Sequence, residues 1–177
     1  MAAQLGAGTD RRLAALAGGG SAPKTFNGPS MSEDITFGPS DPDWFYACAI
    51  VRDPETRRFL LEVRTDDAPR NPGMWSFFGG GAEAGENPEA CLLRELKEEL
   101  GVILEASDLS PFRSYLNPRT SRRRHVFAVM ALSERSSLVV TESAGFDWVD
   151  AQRALQLDLS VSTRRDLEAY VNMKVSR

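Results

Sequence analysis

Three glutamates in the middle of this chain have the residue type and spacing to hold a divalent metal ion. Glu95, Glu98 and Glu99 lie in the sequence RELKEEL, and at about 100° of rotation per residue they share one face of a helix. Like charges at this spacing cost a helix roughly a few tenths of a kcal/mol per pair, so the group does not serve helix stability. Hard oxygen ligands directed at one point suit Mg²⁺ or Mn²⁺. The alternative interpretation is a solvated acidic helix face.

The helix that would carry these glutamates has clear signals at both ends. Asn87 can cap it, Pro88 suits its first position, and Gly101 can end it in the left-handed conformation. We therefore predict one helix over residues 88–100. The leucines of this stretch fall on a separate face, which predicts the side that packs against the core. They are Leu92, Leu93, Leu96 and Leu100.

The stretch from Gly80 to Val102 resembles the signature of the Nudix hydrolases. The glycine is followed after five residues by Glu86 and after seven more by Arg94, and the sequence then reads ELKEELGV. Just before this stretch the family commonly has an aromatic residue, a proline and two glycines, where this chain has FFGG. Phe78 replaces the proline, which affects the rigidity of the loop rather than ligand chemistry. The resemblance implies metal-dependent hydrolysis of a diphosphate linkage in a nucleoside diphosphate joined to another group.

The resemblance also implies which residues bind the metal. Glu95, Glu98 and Glu99 would hold Mg²⁺ or Mn²⁺, helped by a backbone carbonyl of Gly79 or Gly80. Glycine suits this role because the missing Cβ lets the backbone approach an ion closely. The number of metal ions is left open.

Further residues are implied to act beside the metal. One of the three glutamates, or Glu142 in the loop before a predicted strand, would take a proton from the attacking water. For Glu142 the alternative is a simple surface acid. Arg94 would orient a glutamate through a charge-assisted hydrogen bond, and Glu86 is its natural partner. Lys97 projects away from the acidic face, and Cys91 is expected to be a small packed residue.

Basic side chains that could meet substrate phosphates occur at two places. Arg64 ends a predicted strand, where the family often has a phosphate-binding residue, although a solvated strand end is equally consistent. Arg119 and Arg123, with Arg122 between them, lie in a predicted loop and form a dense basic cluster. The alternative for this loop is a solvated hairpin tip. His125 is the single histidine, so a nucleophile that depends on a histidine partner is not expected.

Strands alternate with helices along the chain and predict an α/β fold with a mixed sheet. Apolar or alternating runs between turn residues mark strands at residues 44–51, 58–64, 74–78, 112–116, 124–132 and 146–149. The first two strands are predicted to form a hairpin. A short helix is predicted at residues 150–155, and a final helix is predicted with Ser162 as its cap. The resemblance covers about residues 44–172 and implies the Nudix fold, an α/β/α sandwich.

Length, charge and composition narrow the class of protein. The 177 residues suit one domain, and a net charge of −4 argues against a surface for nucleic acid or membrane. No apolar run approaches the roughly 18 residues of a membrane span. Two cysteines give no disulfide framework and favour a cytoplasmic location.

The two ends of the chain differ in composition. Residues 1–43 are rich in Gly, Ala, Ser and Pro and are predicted to be a largely disordered N-terminal extension. Residues 44–177 are predicted to be the folded Nudix hydrolase domain. Whether the extension is a targeting segment or dispensable is left open, and Met31 is a candidate start. The oligomeric state is also left open, with a homodimer among the options.

The partner implied by the resemblance is a small-molecule nucleotide, namely ADP-ribose, a nucleotide sugar or a (d)NTP. Pro118 lies sixteen residues beyond Val102, a spacing that the family associates with ADP-ribose hydrolysis. A turn at Asn117 and Pro118 explains the proline equally well. The competing function is a regulatory Nudix module that binds nucleotides without turnover. Such modules typically lose some motif carboxylates, and this chain retains them all, which favours an enzyme.

Overall fold

The computed structural model describes residues 44–175, which fold around a seven-stranded sheet. The strands are β1 Tyr46–Arg52, β2 Phe59–Val63, β3 Trp75–Ser76, β4 Gly79–Gly81, β5 Leu109–Asn117, β6 Arg122–Val129 and β7 Gly145–Val149. The helices are α1 Pro88–Leu100, α2 Ala151–Ala154 and α3 Val161–Val175, and a 3-10 turn spans Ala106–Asp108. The predicted N-terminal extension, residues 1–43, lies outside the described residues.

The sheet is organised on β1. This strand pairs antiparallel with β2 and β4 and parallel with β6, which places both strand directions in one sheet. β5 continues the sheet beyond β6, while β3 and β7 both pair with β2. The predicted mixed sheet and the predicted hairpin of β1 and β2 are therefore confirmed.

Helices cover both faces of β1. Ala49 and Val51 share one buried cluster with Leu96 of α1, and Ile50 shares a second cluster with Leu167 of α3. Because side chains alternate across a strand, neighbouring residues of β1 belong to opposite layers. The continuous apolar sequence of this strand follows from the burial of both faces. The predicted α/β/α sandwich is confirmed.

The helix α1 begins and ends where the sequence predicts. The side-chain oxygen of Asn87 accepts the N–H of Ala90 at 2.8 Å, and Gly101 ends the helix with a φ of 66°. Leu92 and Leu96 are fully buried against the sheet. Local capping thus fixes the length of α1, and its leucine face fixes which side remains for the glutamates.

The turn between β5 and β6 is shorter than predicted. It is closed by the N–H of Ser121, which donates to the carbonyl of Asn117 at 2.8 Å. The prediction that Arg122 and Arg123 lie in a loop is wrong, because both belong to β6. Arg119 remains in the turn.

The start of α3 also differs from the prediction. The helix begins at Val161, so the predicted cap Ser162 lies inside it. Ser160 takes the capping position, and its hydroxyl oxygen accepts the N–H of Thr163 at 3.3 Å. The hydroxyl of Ser162 instead accepts the amide of Asn117 at 3.1 Å, so the predicted cap links α3 to β5.

Two further sequence expectations concern thiols and membranes. Cys48 and Cys91 are both free and buried. Within residues 44–175, the helices are all too short or too polar to cross a membrane.

Candidate active site

The site is built where α1 packs against β4, a strand of three glycines that pairs with β1. The N–H of Gly79 donates to the carboxylate of Glu99 at 2.8 Å. A Cβ at residue 79 would lie 2.2 Å from the carbonyl oxygen of Ala47, and φ there is 134°, so only glycine fits. A Cβ at Gly80 would meet the carboxylate of Glu95 at 2.2 Å. These two glycines let the α1 carboxylates rest directly on the backbone of β4.

Arg94 restrains the acidic groups around this contact. Its Nε donates to Glu86 at 2.8 Å, and one terminal nitrogen donates to both Glu95 and Glu98 at 2.9 Å. The other terminal nitrogen donates to the carbonyl of Gly81 at 3.0 Å. The hydrogen bond from Arg94 holds the pKa of Glu86 below its ordinary value. The expected pair of Arg94 and Glu86 is present, and the same guanidinium also orients two α1 carboxylates.

Burial makes negative charge on two of the α1 glutamates costly. Burial, reinforced by the negative charge of Glu62, raises the pKa of Glu99 to about 8, while the N–H of Gly79 acts in the opposite direction. Burial also raises the pKa of Glu95, and the hydrogen bond from Arg94 partly offsets that shift. A cation placed beside such carboxyls favours their charged forms. The electrostatics of this contact therefore suits a bound metal ion.

The three predicted metal ligands are not equivalent. Glu95 and Glu99 line a cleft, whereas the side chain of Glu98 is 53% exposed and pairs with Arg94. In residues 44–175, no three carboxylate, histidine or cysteine side chains are grouped closely enough to hold a metal as they stand. The donors nevertheless fit a hard divalent cation, because ionised carboxylates only accept and the bare backbone at Gly80 leaves Glu95 room. A metal held by all three glutamates would replace Arg94 at two of them.

Glu142 reaches the same cleft from the segment before β7. It lines the cleft with Glu95 and Glu99, and its charge adds to the burial that raises the pKa of both. The neighbouring hydroxyl of Thr141 donates to the backbone carbonyl of Glu98 at 3.0 Å, which holds this segment against α1. The structure thus brings Glu142 together with the acidic residues of the helix.

Arginines border the rest of the cleft, whose volume is about 370 Å³. They are Arg64, Arg70, Arg122, Arg123 and Arg124. Arg64 and Arg123 are among the sequence-predicted substrate contacts. Arg119 is exposed and, within the described part of the chain, is not a cleft residue. The short hairpin turn explains this difference, because it keeps Arg119 at the tip while the following arginines enter β6.

Arg124 is a cleft residue that sequence reasoning missed. It is only 8% exposed, and its Nε donates to the fully buried carboxylate of Asp166 on α3 at 2.8 Å. The guanidinium also lies over the ring of Tyr46, 5.1 Å from the centroid. The hydroxyl of Tyr115 donates to the same carboxylate at 3.1 Å. No motif marks Arg124, since its partners come from three other elements.

Glu62 is the second residue that sequence reasoning missed. It is 1% exposed on β2, and its carboxylate accepts the hydroxyls of Ser76 and Ser143. Its charge adds to the burial that raises the pKa of Glu99. The sequence signal that could have found it is an acid inside the apolar run FLLEV, because buried carboxylates need partners.

Several known proteins resemble this chain. The model of the NUDIX domain family matches residues 45–170, which run from just before β1 into α3. The nucleoside triphosphatase NudI of Salmonella newport (strain SL254) is 32% identical over 119 residues, which are 62% of this chain and 84% of that protein.

Solved structures with a similar fold include two Escherichia coli proteins. The solution structure of the ORF135 protein has a TM-score of 0.60 and 26% sequence identity, and the match covers 76% of this chain and 92% of that one. The dihydroneopterin triphosphate pyrophosphohydrolase has a TM-score of 0.58 and 26% identity, with 72% of this chain and 94% of that chain covered.

Proposed function

We propose, from the premise that this chain belongs to the Nudix family, that it hydrolyses nucleoside triphosphates to a nucleoside monophosphate and pyrophosphate. Hydrolysis of a phosphoanhydride bond follows from the family and its enzymes. The choice of triphosphates is the proposal. It is supported by the names of two relatives, a nucleoside triphosphatase and a triphosphate pyrophosphohydrolase.

One observation carries this proposal: a single cleft combines carboxylates with arginines. Glu95, Glu99 and Glu142 supply negative charge for a metal ion, and five arginines border the same space. A triphosphate needs cations at several points, which a metal and arginines together supply. The protein as a whole has a net charge of −4, so its overall field repels a polyanion and the attraction must be local.

In the proposed mechanism the α1 glutamates would bind the metal. Glu95, Glu98 and Glu99 would hold Mg²⁺ or Mn²⁺, with help from a backbone carbonyl of Gly79 or Gly80. Both carbonyls already accept a hydrogen bond in this structure, that of Gly79 from the hydroxyl of Tyr46 and that of Gly80 from the thiol of Cys91 at 3.8 Å. The chemistry that a metal held there would supply is neutralisation of charge on phosphate oxygens.

Other residues of the cleft act on water and substrate. Glu142, or one of the α1 glutamates, accepts the proton of the attacking water. The water oxygen bonds to phosphorus while the bond from phosphorus to the leaving pyrophosphate oxygen breaks. Arg94 keeps the α1 carboxylates oriented. Arg64, Arg123 and Arg124 bind phosphate oxygens, and Arg119 is left out of this set because it does not line the cleft.

The proposal also covers the extent and the partners of the domain. We propose that residues 44–177 form the catalytic domain and that its partner is a small-molecule nucleotide. The net charge of −4 supports the view that neither nucleic acid nor a membrane surface is a partner. The buried free thiols of Cys48 and Cys91 support a cytoplasmic location.

The experiment that tests this function is a Mg²⁺-dependent screen of NTPs, dNTPs, ADP-ribose, nucleotide sugars and dinucleoside polyphosphates, scored by the phosphate products. We expect triphosphates to release pyrophosphate, and excess EDTA to abolish turnover until Mg²⁺ is restored. Undiminished turnover in EDTA contradicts the metal-dependent mechanism. A preference for ADP-ribose contradicts the proposal that nucleoside triphosphates are the substrates. Nucleotide binding without any product indicates the regulatory module instead.

A further inference from the structure

Glu62 joins three segments that border the cleft. One of its carboxylate oxygens accepts the hydroxyl of Ser76 at 2.7 Å and a terminal nitrogen of Arg64 at 3.4 Å, and the other accepts the hydroxyl of Ser143. Ser76 lies on β3, Arg64 follows β2, and Ser143 follows Glu142 in the segment before β7. Because Glu62 is 1% exposed, these bonds are needed to offset the cost of its burial.

The segment that carries Glu142 is tethered on both sides. On one side the hydroxyl of Thr141 donates to the carbonyl of Glu98 in α1 at 3.0 Å. On the other side the hydroxyl of Ser143 donates to Glu62 in β2. Glu142 itself is exposed and projects into the cleft. Its position relative to the α1 carboxylates is therefore set through its two neighbours.

We infer that Glu62 is a positioning residue that fixes Glu142 and Arg64 for the reaction. This inference rests on the proposed function, which gives both residues their tasks. A buried carboxylate has little water to exchange with, so its hydrogen bonds hold the Glu142 segment in place before substrate arrives. Catalytic groups lose effect when they are displaced by even about 1 Å, which is the reason for such a tether.

The competing interpretation is purely structural. Glu62 would then join β2 to β3 and to the start of β7, and its loss would lower stability without any special relation to Glu142. The two interpretations differ in one measurable respect, namely whether the loss of the tether still matters once Glu142 has been changed.

The test is a double-mutant cycle with Ser143→Ala and Glu142→Gln. Ser143→Ala removes the hydroxyl that donates to Glu62 and leaves all charges in place. We expect it to lower kcat roughly 10-fold, and we expect the double variant to be no slower than Glu142→Gln alone, because residues that act as a unit are non-additive. Ser137→Ala is the matched control, since Ser137 is an exposed serine of the same segment and its loss should leave kcat unchanged.

Glu62→Gln extends the test to Arg64. The neutral amide no longer attracts the guanidinium, so we expect Glu62→Gln to raise KM as well as lower kcat, whereas Ser143→Ala leaves KM within about twofold. If Glu62→Gln does not fold, the Ser143→Ala cycle still decides the inference.

Amide hydrogen exchange supplies a readout that needs no turnover. We expect faster exchange at residues 141–144 in Ser143→Ala, with the amides of α1 unchanged. Unaltered exchange, or rate losses that multiply in the double variant, overturns the role of Glu62 and leaves the proposed function intact. A wild-type protein that hydrolyses no nucleotide ends the proposed function, and the positioning role ends with it. The two failures are therefore distinguishable.

Discussion

The glutamates of α1 repel one another, and Arg94 is the residue that holds them together. Its guanidinium donates to Glu86, Glu95 and Glu98 at 2.8–2.9 Å. Glu99 lies outside this group and rests instead on the N–H of Gly79. Glu99 is therefore the predicted ligand whose charged form a bound cation would stabilise most. It is also the most buried of the three.

At the scale of single residues, two of the predicted metal ligands can be tested by substitution. Glu98→Gln and Glu99→Gln should each cut turnover by about 10² or more, the scale expected when a preorganised electrostatic element is lost. Both variants should fold, because each keeps the side-chain shape and adds no charge to a repelling cluster. Steady-state kinetics and Mn²⁺ titration of the purified variants provide the measurement, and Mn²⁺ affinity should fall in both.

Lys97→Gln is the matched control for these variants. Lys97 is exposed and directly precedes Glu98 in sequence, but it is predicted to lie outside the acidic face, so turnover should be nearly unchanged. If Lys97→Gln proved as damaging as the glutamate changes, the placement of the metal face would be wrong. Wild-type kinetics in both glutamate variants would instead indicate a solvated acidic face.

The raised pKa of Glu99 predicts how stability depends on pH in the metal-free protein. Its pKa is about 8 in the folded chain against an ordinary value of 4.5, so between these values the folded state retains a proton that the unfolded state has released. Stability falls with rising pH wherever the folded state binds more protons. The contribution of Glu99 is therefore fully present below its unfolded pKa and is lost as pH rises through the folded value.

Urea unfolding in EDTA measures this effect. The urea concentration at the unfolding midpoint should decrease as pH rises from about 5 to about 8. The decrease should be smaller in Glu99→Gln, which lacks the titrating group. A profile that is equally steep in Glu99→Gln would assign the pH dependence to other residues. Metal affinity should rise over the same range, because the ion and the proton compete for the carboxylate.

At the scale of elements, the contact between β4 and α1 decides the geometry of the site. β4 pairs with β1, and this pairing fixes the distance between the glycine backbone and the carboxylates of the helix. The backbone of β4 lies so close that a Cβ at residue 80 would overlap the carboxylate of Glu95. The glycines are therefore required by packing between two elements, in addition to any carbonyl that they offer to a metal.

Gly80→Ala should displace Glu95 without unfolding the protein. The new Cβ would lie 2.2 Å from the end of the Glu95 side chain, which can rotate away. Turnover should fall by up to about 10²-fold, because small displacements of a catalytic group have large effects. Thermal denaturation should show little change.

Gly81→Ala is the comparison for this variant, since no atom lies within 4 Å of its added Cβ. Kinetics and melting temperature of both variants should separate the displacement of Glu95 from a general effect of alanine in β4. Equal losses of turnover in the two variants would contradict the argument from Glu95.

At the scale of the whole molecule, the cleft is rich in arginine although the protein carries a net negative charge. The chain carries a net charge of −4, yet five arginines line the cleft. They come from β6 and from the segment that follows β2, which the sheet brings to one end. The fold thus gathers arginine side chains at the cleft of a protein whose overall charge is negative.

Removal of residues 1–30, so that the chain starts at Met31, should leave turnover and stability nearly unchanged. This segment has too few apolar residues to bury a substantial surface. The melting temperature should stay within about 2 °C of the full-length value. A large loss would show that the segment packs on the domain, and the proposed domain boundary would then have to move.

The sequence by itself determined the helix α1, the identity of the acidic group and the family. These features depend on interactions between residues a few positions apart. The cap at Asn87, the left-handed end at Gly101 and the spacing of the glutamates are all set along one helix. The mixed sheet followed from the alternation of strands and helices, and the continuous apolar sequence of β1 is typical of a strand that is buried on both faces.

Only the tertiary structure decided which arginines border the cleft and how Glu142 is held. Arg124 enters the cleft because β6 pairs with β1 in one register and α3 places Asp166 beside it. Glu62 meets Ser143 across 81 positions of sequence. Strand register, turn length and the docking of a helix on a sheet are set by packing between distant segments, and a one-residue change in register would turn each side chain to the other face. Local sequence patterns carry no signal for such contacts, which is why Arg119 was predicted at the cleft and Arg124 was not.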